Sequence, residues 1–163
     1  MKSKLISKIL MVATPLVIVC GLLAFGASAR SDSSDSEGRS CSNQTLRGDY
    51  GFSIEGLVLP APGVALPLRG VSMAHFDGQG NFTQVDHVVV NGNPPALDWT
   101  PSVGTYTVNS DCTGTARVDF PSSGNFLNLR LVVVRNGKEI HDVVTAPFRG
   151  PALETSAVGI RVD

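Results

Sequence analysis

The chain has 163 residues, enough for one domain, with ordinary apolar content and few charged side chains. Gly 17 and Pro 10 suit a turn-rich β protein better than a helical one. The net charge is −1, and it falls to about −4 once the three lysines of the N-terminus are set aside, which argues against nucleic acid or anionic lipid as the main partner.

The N-terminal segment reads as a secretory signal peptide over 1–29. Lys2, Lys4 and Lys8 form a basic start, Ile9 to Phe25 is an almost uncharged apolar run, and Ala27-Ser28-Ala29 fits the small-x-small cleavage rule. An uncleaved membrane anchor is the alternative, with an apolar run at the short end for spanning a bilayer. A lipoprotein would use Cys20, but Val19 precedes it where a small residue is expected. Cleavage after Ala29 removes three lysines and no acid, so the 13 basic residues fall to 10 against 14 acidic ones. The expected product is secreted or periplasmic. It has no nucleic-acid partner and touches a membrane only through the signal segment.

Cys20 leaves with the signal, and Cys41 and Cys112 remain. An exported chain with two cysteines most simply forms one disulfide between them. A free reactive thiol is the alternative. A metal site would need more ligands at local spacing, so no metal or other cofactor is expected.

Arg30–Ser40 has no hydrophobic residue and reads as a disordered polar spacer over 30–40. A single β domain is expected over 41–163. Its first strand is placed at about Tyr50–Leu57, where Tyr50, Phe52 and Ile54 alternate with Gly51, Ser53 and Glu55. A loop follows over Pro60–Pro67, then a strand over about Leu68–Phe76. Asp77-Gly78-Gln79-Gly80 marks a hairpin turn into a third strand, about Asn81–Val90. A longer loop through Pro94, Pro95 and Trp99 leads to a hairpin over Gly104–Arg117 and on to Phe120, with Asn109, Ser110 and Asp111 as turn formers and Cys112 heading its second strand. The sixth strand is placed at about Phe126–Arg135. Asn136-Gly137 is the strongest hairpin signal, since both residues tolerate positive φ. The seventh strand is about Lys138–Thr145 and the eighth about Ala157–Val162. A short helical turn fits Asn43–Arg47 or the neighbourhood of Asp98.

Eight short, mostly sequential antiparallel strands suggest a sheet closed on itself, because closure removes exposed edges. A two-sheet β-sandwich is the alternative.

Tyr50-Gly51-Phe52, Phe76-Asp77-Gly78-Gln79-Gly80-Asn81, Gly104-Thr105-Tyr106-Thr107-Val108-Asn109 and Asp111-Cys112-Thr113-Gly114-Thr115 resemble segments of a set of small exported bacterial proteins of unknown function. In fold that set is similar to the eight-stranded barrels of the calycin, allene oxide cyclase and dirigent type. The resemblance implies an all-β barrel whose interior holds one small ligand. It brings no catalytic residue with it.

Three constellations carry candidate chemistry. Ser72, in Gly70-Val71-Ser72-Met73-Ala74, has a degenerate nucleophile-elbow look, but that motif needs a strand, a sharp turn and a helix, whereas Ser72 lies within an alternating strand. His75 and His87 are expected on opposite faces of the sheet if Asp77–Gly80 is an even-length turn. Arg130, Glu139 and His141 share one face if Asn136-Gly137 is a two-residue loop, together with Asn128. Leu127, Leu129, Leu131, Val133, Ile140 and Val144 share the other. Either the leucine face fills the core and the polar face is solvated, or the leucines pack outward against a partner or helix and Arg130, Glu139 and His141 line a lumen that orients a small acid or performs acid–base work. Asp142 falls on the leucine face, which counts against the reading in which that face fills the core. Asn43-Gln44-Thr45 and Asn81-Phe82-Thr83 match the glycosylation acceptor pattern, which matters only in a eukaryotic secretory route. The sequence thus points to an exported barrel that binds a small apolar or amphipathic molecule or acts at the cell surface. The alternative is a cyclase or isomerase that shapes its substrate inside the barrel.

Overall fold

The computed structural model describes residues 40–147 and 150–162. The expected signal peptide and all of the polar spacer except Ser40 lie outside these residues.

Eight strands follow one another in chain order: β1 Arg47–Ala61, β2 Val64–Asp77, β3 Asn81–Val90, β4 Thr100–Val108, β5 Thr113–Phe120, β6 Asn125–Val134, β7 Glu139–Pro147 and β8 Ala152–Arg161. Each pairs antiparallel with the next, and β8 returns to β1 from Tyr50↔Arg161 to Leu59↔Ala152, which closes a barrel. Closure leaves no second sheet among the described residues, so the sandwich alternative is excluded.

The two-residue period of each strand sorts side chains into lumen and exterior. In β4 the sorting is clean: Ser102, Gly104, Tyr106 and Val108 are buried, while Pro101, Val103, Thr105 and Thr107 are exposed. Two lumen glycines make room for rings. A Cβ on Gly104 would sit 2.2 Å from the ring of its cross-strand partner Phe82, and one on Gly159 would sit 2.4 Å from the ring of Phe52. Both rings therefore lie over bare backbone.

One end of the barrel is capped. A short 3-10 turn at Asn43–Thr45 leads into Leu46, which is fully buried. Tyr106 Oη donates to the carbonyls of Asn43 (3.0 Å) and Leu46 (2.9 Å), and Tyr50 Oη donates to the Gly137 carbonyl. Asn43 Oδ1 accepts the Val108 amide at 2.8 Å. The disulfide Cys41–Cys112 holds this cap to the β4–β5 turn, with the two Cα atoms 5.0 Å apart. Above the cap, Phe76 packs edge-on to Tyr50 and Tyr106 and stacks on Phe82, with ring centroids 5.1–5.2 Å apart.

The sequence reading errs in three places. The loop expected over Pro60–Pro67 is a continuation of β1 and β2, which turn only at Pro62-Gly63, where Gly63 has φ +78. β1 pairs with β8 only as far as Leu59, and β2 with β3 only from Leu68. The hairpin tip therefore extends beyond the rim as a two-stranded ribbon, where prolines remove no needed donor. β8 starts at Ala152, five residues earlier than expected.

The third error is a register slip. Phe76 pairs with Phe82, so the β2–β3 loop has an odd length. The Asp77 carboxylate sets that length by accepting the amides of Gln79, Gly80 and Asn81 at 2.6, 3.0 and 3.0 Å, and the Asn81 side-chain amide at 2.8 Å. His75 then faces Thr83 and His87 faces Val71, so both histidines point outward rather than to opposite faces. The Asn136-Gly137 hairpin, by contrast, has the expected register, Val134↔Glu139 and Val132↔His141, with φ of 59 and 81 at its two central residues.

Candidate functional site

Alternation places the leucine stripe of β6 inside the barrel. With the capped end filled by aromatic rings, the remaining interior is a cavity of 380 Å³ towards the other end. Phe76, Phe82, Leu131 and Ile140 form its floor. Ile54, Leu68, Val88, Leu127, Leu129 and Val144 form its walls, and Phe120, Phe126, Pro151 and Leu153 surround its mouth. The volume lies within the roughly 300–1,000 Å³ of small-molecule sites, and the lining has their mainly apolar character.

Few polar groups face this space. Ser72 on β2 and Asp86 on β3 are cross-strand partners, and Gln84 lies two residues along on the same face. Asp142 on β7, half the barrel from β3, and Thr155 on β8 also face in. Among the described residues, no lysine, arginine or histidine lines the cavity. Burial raises the Asp86 carboxyl above its ordinary range, against the opposing pull of a hydrogen bond with Gln84 and the nearby His87. Burial pushes Asp142 up further, to about 7, with His141 opposing. Ser102, the cross-strand partner of Gln84, is buried at 3% exposure, and its hydroxyl has no hydrogen-bond partner among the described residues.

Arg130, Glu139 and His141 share the outer face. The Glu139 carboxylate lies 3.0 Å from Arg135 Nε and 2.6 Å from His141 Nε2. Arg130 is exposed over a shallow hollow it shares with Arg117 and Asn128. The structure thus brings Glu139 and His141 together, but on the exterior. The lumen carboxyls of Asp142 and Asp86 are not among the site residues that the sequence suggests. Their signal was present: each interrupts a lumen-facing alternation, Ile140-x-Asp142-x-Val144 and Phe82-x-Gln84-x-Asp86-x-Val88.

The two outward histidines have separate partners. His75 Nδ1 lies 2.7 Å from the Asp49 carboxylate, and His87 Nδ1 lies 2.6 Å from the Asp98 carbonyl oxygen. Ser72 stays in mid-strand and faces the lumen, without the turn and helix of a nucleophile elbow. The side chains of Asn43 and Asn81 both serve turns, Asn43 at Val108 and Asn81 at Asp77.

Fold and site together define a small, closed, antiparallel β-barrel with a capped end and an apolar, acid-bearing lumen. No family model matches the chain, and no curated protein matches it. Among solved structures it is similar to a de novo designed fluorescence-activating β-barrel, at 14% identity and a TM-score of 0.47, over 74% of this chain and 96% of that one.

Proposed function

We propose that the protein is exported and binds a small, mostly apolar or amphipathic molecule inside the barrel, as the calycin-type resemblance implies. The observation that carries this reading is the 380 Å³ cavity, walled by leucine, valine and phenylalanine and capped at one end. Export is supported by the basic-apolar N-terminus and by a disulfide, which persists in oxidising compartments. The intact mass of the secreted product is expected to begin at Arg30; retention of Lys2–Lys8 would contradict export.

Binding is tested with the neutral fluorophore N-phenyl-1-naphthylamine. Ala116 lines the lumen, so Ala116→Phe fills the space a ligand would use. The parent is expected to brighten the probe with saturation, and Ala116→Phe to weaken binding by about tenfold or more. Equal binding by both proteins, or none by the parent, would sink the lumen reading.

One observation favours a second reading, a cyclase or isomerase that works in the same lumen. Asp142 is held at about 7, where a carboxyl serves as acid or base at neutral pH. Conversion of a bound ligand that falls in Asp142→Asn by far more than its affinity does would distinguish catalysis from carriage.

A further inference from the structure

We propose that the lumen selects a cationic amphipath: a small apolar body carrying one amine or other positively charged nitrogen head. The inference rests on the lumen being the binding site and names the class of its ligand. Two carboxyls, Asp86 and Asp142, enter an otherwise apolar chamber from β3 and β7, and the lining offers them no cation. In the strand order β3 and β7 are half the barrel apart, so the acids approach from opposing walls. Asp86 has Gln84 as its hydrogen-bonding neighbour, and Ser72 sits across the strand from it. Among the described residues no hydrogen bond or ion pair reaches the Asp142 carboxyl, whose neighbour His141 projects from the opposite face of the strand.

Buried carboxylates without partners are costly, and folded proteins ordinarily supply a counter-charge. Here the counter-charge is missing from the wall and the space for it is present in the cavity. Acids on the outer face do have partners: Asp119 takes Arg117 at 2.7 Å, and Glu139 takes Arg135 at 3.0 Å. An ammonium head entering the lumen would form charge-assisted hydrogen bonds with a lumen carboxylate while its chain meets the leucine wall. A neutral head would leave the acids unpaired. An anionic head would face two like charges, which specificity by repulsion excludes.

The test uses three ligands of one chain length at pH 8: octylammonium, 1-octanol and octanoate. Titration calorimetry on the mature protein is expected to find octylammonium bound about tenfold or more tighter than octanol, with octanoate weakest. In the Asp86→Asn/Asp142→Asn double variant the amine's advantage should fall to within about threefold, while octanol binding persists and reports an intact lumen. Octanol or octanoate binding as tightly as the amine would overturn the head-group assignment and leave the lumen reading standing. An amine advantage that survives in the double variant would also overturn it. If none of the three binds the parent, the lumen reading falls and the assignment with it.

Discussion

Cys112→Ser is expected to lower the melting temperature of the oxidised protein by roughly 10–15 °C. The bond closes a loop with a sequence separation of 71, for which chain entropy gives roughly 4 kcal/mol, a large share of the ~5–15 kcal/mol net stability of a small domain. The consequence is local as well as global. Cys41 donates its amide to Ser110 O at 3.1 Å, and Val133 donates to Cys112 O at 2.9 Å, so the bonded pair holds the cap to β4, β5 and β6 together. Cys112 has φ 68, a left-handed conformation that serine keeps strained, so the substitution brings no backbone relief. Reduction of the parent should reproduce the loss, and the reduced parent and Cys112→Ser should melt together. Equal melting of the oxidised parent and Cys112→Ser would mean that the cap is held by Leu46, Tyr50 and Tyr106 alone.

Asp142→Asn is expected to act in the opposite direction, and only above acid pH. Burial holds Asp142 at about 7, against about 3.9 for an aspartate in an unfolded chain. Between those values the folded protein keeps a proton that the unfolded chain has lost. This group's contribution therefore falls as pH rises from about 4 to about 7, and the full penalty, at most roughly 4 kcal/mol, applies above that range. Asparagine carries no charge but still buries an amide. At pH 8 the variant should be more stable by roughly 2–3 kcal/mol, and near pH 4 it should match the parent within about 1 kcal/mol. Asp77 runs the other way. Its four hydrogen-bond donors, with the Asn81 side chain first, lower it to about 2, so its contribution is present above the unfolded value and lost as pH falls towards 2. The variant should thus keep the acid limb of the stability profile and lose the share of the decline between pH 4 and 7 that Asp142 contributes, while the raised Asp86 carboxyl keeps its own share. Denaturant melts across that range check this, and parallel profiles for parent and variant would refute the placement of Asp142 in the lumen.

Much of the barrel was legible because hairpin chemistry is local. Asn136-Gly137 supplies positive φ at adjacent positions, which fixes the register of β6 with β7 and puts Leu129 and Leu131 on one face and Arg130 on the other. The Asp77 loop is equally local, but it is one residue longer than the Asp77–Gly80 turn suggests. Here the carboxylate that gathers successive amides closes a five-residue loop between Phe76 and Phe82, and a single step of register sends a histidine from one face to the other. Prolines at 60, 62 and 67 suggested a loop because the ribbon past the rim has no sequence signature apart from tolerance of missing donors. The candidate site was legible only in part. Alternation assigns residues to two faces, but which face closes inward depends on the whole ring of strands. The polar trio Arg130, Glu139 and His141 drew attention because clustered charges suggest chemistry. The lumen acids were isolated in sequence, and strand closure alone brings Asp86 and Asp142 to one cavity. How Phe52 and Phe82 lie over Gly159 and Gly104 is a cross-strand fit that no strand reveals by itself.

The most direct test of a ligand-binding lumen is an amide chemical-shift titration of the protein with 1-octanol. The shifts are expected to cluster at Ser72, Asp86, Leu129, Asp142 and Thr155, which lie on separate strands along the chain and face one cavity. Arg130, His141 and His75 on the outer face should move little by comparison. Shifts confined to that outer face, or no saturable shift at all, would contradict the account.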